Sequence, residues 1–396
     1  MRIHRERYID QLQYLVQNSP VTALLGPRQC GKTTLAKEFG KIHKSHYFDL
    51  ESSTDSAVLQ NPETILSELD GLIILDEAQQ MPNLFNTLRV LVDRFERKCR
   101  FLILGSANPG LMKNISQSLA GRVDFLDMGG FNISEVGIDH YSRLWLRGGY
   151  PDSYLANSER LSIRRRNALI RTHVERDLPM LGFSIPAARI RQFWNMLAHS
   201  HGQIWNASRI ARSMGVSYHT VQNYLDILTG TYMARQLQPW HENFGKRQVK
   251  APKVYLQDSG LLHAMLNIHD PRTLYSHPVR GASWEGFVIE QVLRELQVET
   301  AWYWAAHSGG ELDMFVEIEG LRIGIEIKLS EAPKPSSSTY RLCDLLKLDY
   351  LFVISRMPRS FQVSDQVRFL SIQDLPNLHR NYSPLPDRWQ RASIYP

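Results

Sequence analysis

With 396 residues the chain is too long for one ordinary hydrophobic core, and two to four domains are expected. No apolar run reaches the roughly 18 residues a membrane span needs, the Met1-Arg-Ile-His-Arg start lacks an apolar leader, and Cys30, Cys99 and Cys343 are scattered without a C-x-x-C pair or a His cluster. A cytoplasmic protein with reduced thiols, no zinc site and no membrane partner is expected, and the net charge of +6 tilts the choice of partner towards nucleic acid while fitting a solvated surface equally.

In chain order, the first apolar run, Val21 to Leu25, predicts a strand, and a helix is expected over Thr34 to Phe39. Between them Gly26-Pro27-Arg28-Gln29-Cys30-Gly31-Lys32-Thr33 spells G-x-x-x-x-G-K-[ST], followed by Thr34. Glycines in that pattern let backbone N–H groups surround phosphate oxygens, Lys32 reaches the β/γ-phosphates, and the Thr33 hydroxyl can ligate Mg²⁺. ATP with Mg²⁺ is therefore the expected ligand pair. Further strands are read over His46 to Leu50, Leu72 to Leu75, Phe101 to Leu104 and Val123 to Met128. The alternation of β and α segments implies an α/β fold with a parallel sheet, helices on both faces and the phosphate site at its carboxyl edge. The strand Leu72 to Leu75 ends in Asp76-Glu77: Asp76 would hold the metal and Glu77 would polarise the attacking water. The next ends in Gly105-Ser106-Ala107-Asn108, where Ser106 or Asn108 would sense the γ-phosphate unless the segment is a plain turn. Arg122 is a candidate for stabilising transition-state charge, in a neighbouring subunit if the protein forms a homo-oligomeric ring.

Arg147-Gly-Gly-Tyr-Pro151 punctuates the chain, and Arg164, Arg165, Arg166, Arg171 and Arg176 then read as the solvated face of a helical stretch, with a lid behind the nucleotide as the functional alternative. Asn206 to Ser217 predicts a short helix, a glycine turn at Gly215 and a second helix capped by Ser217. In that second helix Val221, Tyr224, Leu225 and Leu228 fall on one buried face, leaving Tyr218, His219 and Gln222 outward at the end that would enter a major groove. Ala234 to Leu237 and Val254 to Leu256, flanking Lys246, Arg247, Lys250 and Lys253, would supply a wing. Winged helices also act as spacers and protein contacts, so DNA binding and those roles stay open together.

Glu311 to Lys328 reads as two alternating strands with a tight turn at Glu319-Gly320. A two-residue loop makes Ile318 face Leu321, and one side then pairs Leu312, Met314, Val316 and Ile318 with Ile327, Ile325, Ile323 and Leu321. The other side pairs Glu311 with Lys328, Asp313 with Glu326, Phe315 with Gly324, and Glu317 with Arg322. Asp313 against Glu326 puts like charges opposite each other, which costs a few tenths to about 1 kcal/mol unless a divalent cation lies between them. Lys328, on the same face, would stabilise a developing phosphorane or orient water. Upstream, Trp284 to Leu296 has helical spacing, with Glu285 in its first turn as a third acid or simply a dipole partner.

Acid helix, lone Asp and Glu-x-Lys on a hairpin resemble the nuclease superfamily named for its PD-(D/E)xK motif: Glu285 matches the helical acid, Asp313 the lone Asp (preceded here by Leu312 rather than Pro), and Glu326-Ile-Lys328 the (D/E)xK element. The resemblance implies Glu285, Asp313 and Glu326 as ligands of a second cation, Mg²⁺ or Mn²⁺. The whole order of motifs is similar to a prokaryotic family of AAA-type P-loop ATPases with a C-terminal DUF4143 region, through Gly26 to Thr34, Leu75-Asp76-Glu77, Gly105-Ser106, Leu119 to Arg122, Gly148 to Pro151, Glu175-Arg-Asp177, Pro252 to Leu261, Trp284-Glu285-Gly and Gly310 to Asp313. This resemblance implies an AAA-like ATPase core over 1–157, a helical lid over 158–200, a winged-helix-like segment over 201–262 and a restriction-endonuclease-like α/β domain over 275–396. The expected activity is ATP hydrolysis coupled to a metal-dependent nuclease-like domain that acts on or grips DNA or RNA. A nucleotide-regulated switch or partner-binding protein with an inactive nuclease fold is the alternative.

Overall fold

The computed structural model describes residues 3–382, apart from 95–98, 107–108, 242–248, 299, 307–309 and 336. Asn108, Lys246 and Arg247 thus lie outside the described residues. The chain condenses into two units built from non-contiguous pieces: unit 1 takes residues 1–131, 147–193 and 216–234, and unit 2 takes 132–146, 194–215 and 235–396. The expected lid segment, 158–200, and the winged-helix-like segment, 201–262, are each divided between them.

Unit 1 is built on five parallel strands, β1 (Val21–Leu25), β2 (Ser45–Asp49), β3 (Gly71–Asp76), β4 (Cys99–Gly105) and β5 (Val123–Asp127), in the order β2-β3-β4-β1-β5. Each strand the sequence predicts here is present. Alternate residues serve opposite faces: Val21, Ala23, Leu25, Ile73, Leu75, Phe101 and Ile103 enter one apolar core, while Leu24, Leu72, Ile74, Leu102 and Leu104 enter the other. A parallel sheet covered on both sides reads in sequence as continuous apolar runs, which is why these strands were legible. Helix Lys32–Gly40 packs Leu35, Ala36 and Phe39 into the second core.

The Arg-rich helix Glu159–Thr172 departs from its expected solvated face at one position. Arg166 is 1 % exposed, because Ser162, Arg166, Leu169 and Ile170 share the inward stripe at i, i+4, i+7 and i+8. Arg164, Arg165, Arg171 and Arg176 are exposed as expected.

Among the described residues unit 2 contains nine strands, β6 (Gln203–Ile204), β7 (Ala234–Pro239), β8 (Lys253–Leu256), β9 (Trp302–Ala305), β10 (Glu311–Ile318), β11 (Leu321–Ile327), β12 (Tyr350–Ser355), β13 (Phe361–Gln362) and β14 (Val367–Ser371). They form one sheet in the order β13-β14-β12-β11-β10-β9-β7-β8-β6. The strands expected to form a wing, β7 and β8, are therefore members of this sheet, β7 running parallel to β9. The expected short helix is Ala207–Met214, capped by Asn206 and ended at Gly215, whereas the expected second helix, Tyr218–Gly230 capped by Ser217, belongs to unit 1.

The hairpin has the expected register from Met314–Ile325 to Ile318–Leu321, with Glu317 opposite Arg322. Two features differ. A bulge in β10 against β9 falls between Leu312 and Phe315, so Leu312 turns into the same core as Phe315 instead of joining Met314 and Val316. The face expected to be polar is also covered around Phe315, which is fully buried against Trp240 at 4.5 Å between ring centres. Among the described residues no helix is long and apolar enough to cross a membrane.

Candidate functional site

In unit 1 the carboxyl ends of β3, β4 and β1 lie side by side, and the motif loop leaves β1 with β4 and β5 as its neighbours. Gly26 sits so close to β5's exit that a Cβ there would be 2.0 Å from the Met128 carbonyl oxygen. Gly31, at φ 103°, adopts a left-handed conformation that turns the chain into helix Lys32–Gly40 and leaves that helix's N–H groups facing the loop. Cys30 faces the core, its Sγ 3.4 Å from the Met128 carbonyl oxygen, so only its backbone belongs to the loop's concave side. Gln29 and Thr34 are exposed.

The lysine of the motif meets neutral partners. Lys32, 6 % exposed, donates to the carbonyl oxygens of Gly26 at 2.9 Å and Pro27 at 2.8 Å. Thr33 donates its hydroxyl to Asp76 Oδ2 at 2.7 Å, and Tyr47 donates to the same oxygen at 2.7 Å, while Oδ1 accepts the Glu77 N–H at 2.9 Å. Burial, then the Asp76 carboxylate, pushes the Tyr47 hydroxyl well above its usual range, keeping it a donor. Glu77 stands at φ 52°, a left-handed conformation rare for a residue with a side chain, and Gln79 donates to its carboxylate. Burial raises the Glu77 carboxyl, partly offset by Gln79, Lys32 and Arg28.

The loop is also contacted by residues the sequence did not single out. Arg28 pairs with Asp177 at 2.9 Å and Glu51 at 3.3 Å. Asp177 ends a π-helical turn, His173–Asp177, whose His173 ring nitrogen lies 3.3 Å from the Thr231 hydroxyl. Arg28, Ser106, His173, Asp177 and Thr231 line a small pocket with Gly26. The Ser106 hydroxyl is buried there with no hydrogen-bond partner among the described residues. In the sequence this wall was signalled by Ser106, by the lid alternative for the Arg-rich stretch and by Glu175-Arg-Asp177 within the family resemblance, while His173, Asp177 and Thr231 carried no role of their own. Arg122 is not at the loop: its guanidinium grips exposed Asp93 at 2.6 and 2.9 Å and the Ala120 carbonyl oxygen at 2.9 Å.

Unit 2 has a second charged cluster, and its centre is Lys253, at the start of β8. The Lys253 ammonium, on a side chain 6 % exposed, lies 3.0 Å from Glu285 and 3.9 Å from Asp313 and is also paired with Glu311. Tyr255 donates to Glu285 at 2.5 Å, on the oxygen that Lys253 contacts. Asp313 accepts the Ile327 N–H at 2.7 Å, and Lys328 pairs with Glu326 at 2.7 Å rather than with Glu311. The expected ion pair between Glu311 and Lys328 is thus replaced by two others, because β8 delivers an ammonium that the hairpin alone does not contain. Glu317 keeps its expected partner, Arg322, at 3.5 Å.

Burial, then the Glu285 charge, raises the Asp313 carboxyl to about 7. Burial alone would lower Lys253, but Glu285, Asp313 and Glu311 outweigh it and hold the ammonium above its usual range. Among the described residues no three His, Cys, Asp or Glu gather into a group able to hold a metal ion. Beside the cluster, His201 accepts the Leu256 N–H at 3.0 Å, and its ring stands edge-on to Tyr255 at 5.3 Å. Burial lowers His201 to about 3, so the ring is neutral.

Residues 18–137 match the family described as AAA domain, residues 138–272 a domain of unknown function (DUF8612) and residues 280–375 a domain of unknown function (DUF4143). The chain is 45 % identical, over 367 residues, to an uncharacterized protein of Mycobacterium tuberculosis and equally to one of Mycobacterium bovis, covering 93 % of this chain and 83 % of each relative. Among solved structures, a Walker-type ATPase of Pyrococcus abyssi is similar at 14 % identity and a TM-score of 0.49, over 67 % of this chain and 96 % of that one. A Signal Transduction ATPase with Numerous Domains from Pyrococcus horikoshii, with a tetratricopeptide repeat sensor, is similar at 11 % identity and a TM-score of 0.30, over 76 % of this chain and 46 % of that one.

Proposed function

The chain belongs to the family of these mycobacterial proteins and itself carries an AAA domain match ahead of a DUF4143 match, and from that premise we propose that unit 1 binds and hydrolyses ATP at the loop Gly26 to Thr33. The observation that carries the reading is the contact between Thr33 and Asp76 at 2.7 Å, which brings the loop's hydroxyl to the carboxylate at the end of β3. These two oxygens fit a Mg²⁺ ion, which would hold the triphosphate and neutralise charge on its oxygens.

The chain's own groups divide the remaining work. Lys32 exchanges two loop carbonyl oxygens for phosphate oxygens, and the N–H groups of Gly31 and the helix behind it point at the same anion. Ser106, buried and unpaired among the described residues, has a hydroxyl to donate to the terminal phosphate. Glu77, raised by burial and aimed by its unusual backbone, accepts a proton from the attacking water. Arg122 serves a neighbouring subunit's site only if it leaves Asp93 when a ring forms. Steady-state hydrolysis by wild type and Lys32→Ala tests the proposal: turnover lost in the variant supports it, and equal turnover rejects it.

A second reading concerns unit 2. We propose that it has the layout of a PD-(D/E)xK nuclease, with Glu285 on a helix and Asp313 and Glu326-x-Lys328 on paired strands, and that it serves as a nucleotide-regulated grip for nucleic acid or a protein rather than as a cutting enzyme. The pairing of its acids with Lys253 and Lys328 favours gripping over cutting. In unit 1, exposed Tyr218 and His219, with half-buried Gln222 donating to Asp226, are separate candidates for reading duplex in a winged-helix manner. DNA digestion with Mg²⁺ or Mn²⁺ by wild type and Lys328→Ala separates the two roles, since cutting lost only in the variant would establish an enzyme.

A further inference from the structure

We propose that Lys253 is the resident cation of the carboxylate cluster in unit 2 and that it excludes a divalent metal ion from Glu285, Glu311 and Asp313. The inference concerns these side chains alone and requires neither ATP hydrolysis in unit 1 nor any activity of unit 2.

The donor set does not suit Mg²⁺ or Mn²⁺ while Lys253 is present. Such ions need near-octahedral oxygen ligands at about 2.1 Å. One Glu285 oxygen already accepts from both the ammonium and Tyr255, and one Asp313 oxygen accepts the Ile327 N–H. Glu326, the third acid of the nuclease-like layout, is engaged by Lys328. An ammonium, with three donors on a compact charge, satisfies several carboxylates at hydrogen-bond distance without demanding octahedral order.

Burial makes the arrangement purposeful in physical terms. Lys253 is 4 % exposed, and a lysine is almost never so deeply placed unless paired. Its position at the start of β8, a strand separate from the hairpin, means that the cation is delivered by the fold and not by solvent. Taking the ammonium away leaves carboxylates facing one another, a state that a divalent cation would relieve. The exclusion is therefore reversible by one substitution.

The test is Mn²⁺ uptake by the full chain without nucleotide, read from the resonance signal of free Mn²⁺. Wild type and Asp313→Asn are expected to show the same weak, unsaturated uptake. Lys253→Met is expected to take up one Mn²⁺ per chain about tenfold more tightly or better, and adding Asp313→Asn to it should abolish the gain. A wild-type chain holding one Mn²⁺ that Asp313→Asn releases would overturn the proposal, as would a folded Lys253→Met that binds none. If Lys253→Met does not fold, the wild-type and Asp313→Asn titrations still decide, together with Lys253→Arg. That variant keeps the cation and should follow wild type, and tight Asp313-dependent uptake by it would contradict the proposal.

Discussion

The two charged sites use similar residues in opposite ways. At the unit 1 loop, Lys32 is held by carbonyl oxygens and Asp76 by hydroxyls and an N–H, partners without net charge, so both the ammonium and the carboxylate keep their charge for a ligand. In unit 2, Lys253 and Lys328 are spent on carboxylates of the chain itself. A lysine beside acids therefore marks a ligand site only where its charge is left unmatched.

The comparison can be broken first at Lys253. Removing the buried Lys253 ammonium leaves half-buried Glu285 and Asp313 and exposed Glu311 uncompensated, and Lys253→Met should cost about 3 kcal/mol of stability in denaturant unfolding without metal. A loss within a few tenths of wild type would mean that the cluster's charges are not coupled. Next, Lys32→Ala should lower ATP turnover about 100-fold or more, while leaving the thermal midpoint nearly unchanged because the lysine contacts only loop carbonyls. A variant that unfolds would instead place Lys32 among the stabilising groups.

His201 sharpens the contrast through pH. Its ring is neutral in the fold, with a pKa lowered to about 3 from an ordinary 6.5, so the unfolded chain binds the extra proton. Its contribution is intact above pH 6.5 and falls as the pH drops towards 3, by about 1.4 kcal/mol per unit, reaching about 2 kcal/mol at pH 5. His201→Gln should flatten that slope in urea unfolding at a series of pH values. The smallest effect is expected at Asp177. Releasing Arg28 from its pair, Asp177→Asn should tighten ATP about fivefold in a calorimetric titration, near 1 kcal/mol. Weaker binding would make Asp177 part of the ligand's own contacts.

The strands of unit 1 and the register of the hairpin were legible because each depends on neighbours in sequence: a continuous apolar run, or two alternating runs about one turn. Arg166 was also readable, since it shares a stripe with Ser162, Leu169 and Ile170, and counting arginines hid what helical spacing shows. The β10 bulge was not, because one inserted residue leaves the alternation pattern nearly unaltered while turning Leu312 round. Nor were Lys253, Asp177 and His173, whose partners lie 32 to 149 residues away and are set by sheet order and helix return. Lys253 read as one more basic residue of a wing until β8 took its place in the large sheet.

Counting bound Mn²⁺ with and without ATP tests the central contrast most directly. The account predicts no tight site in the nucleotide-free chain and one Mn²⁺ per chain once ATP is added, lost in Asp76→Asn. A tight, Asp313-dependent ion without nucleotide, or none with it, would contradict the account.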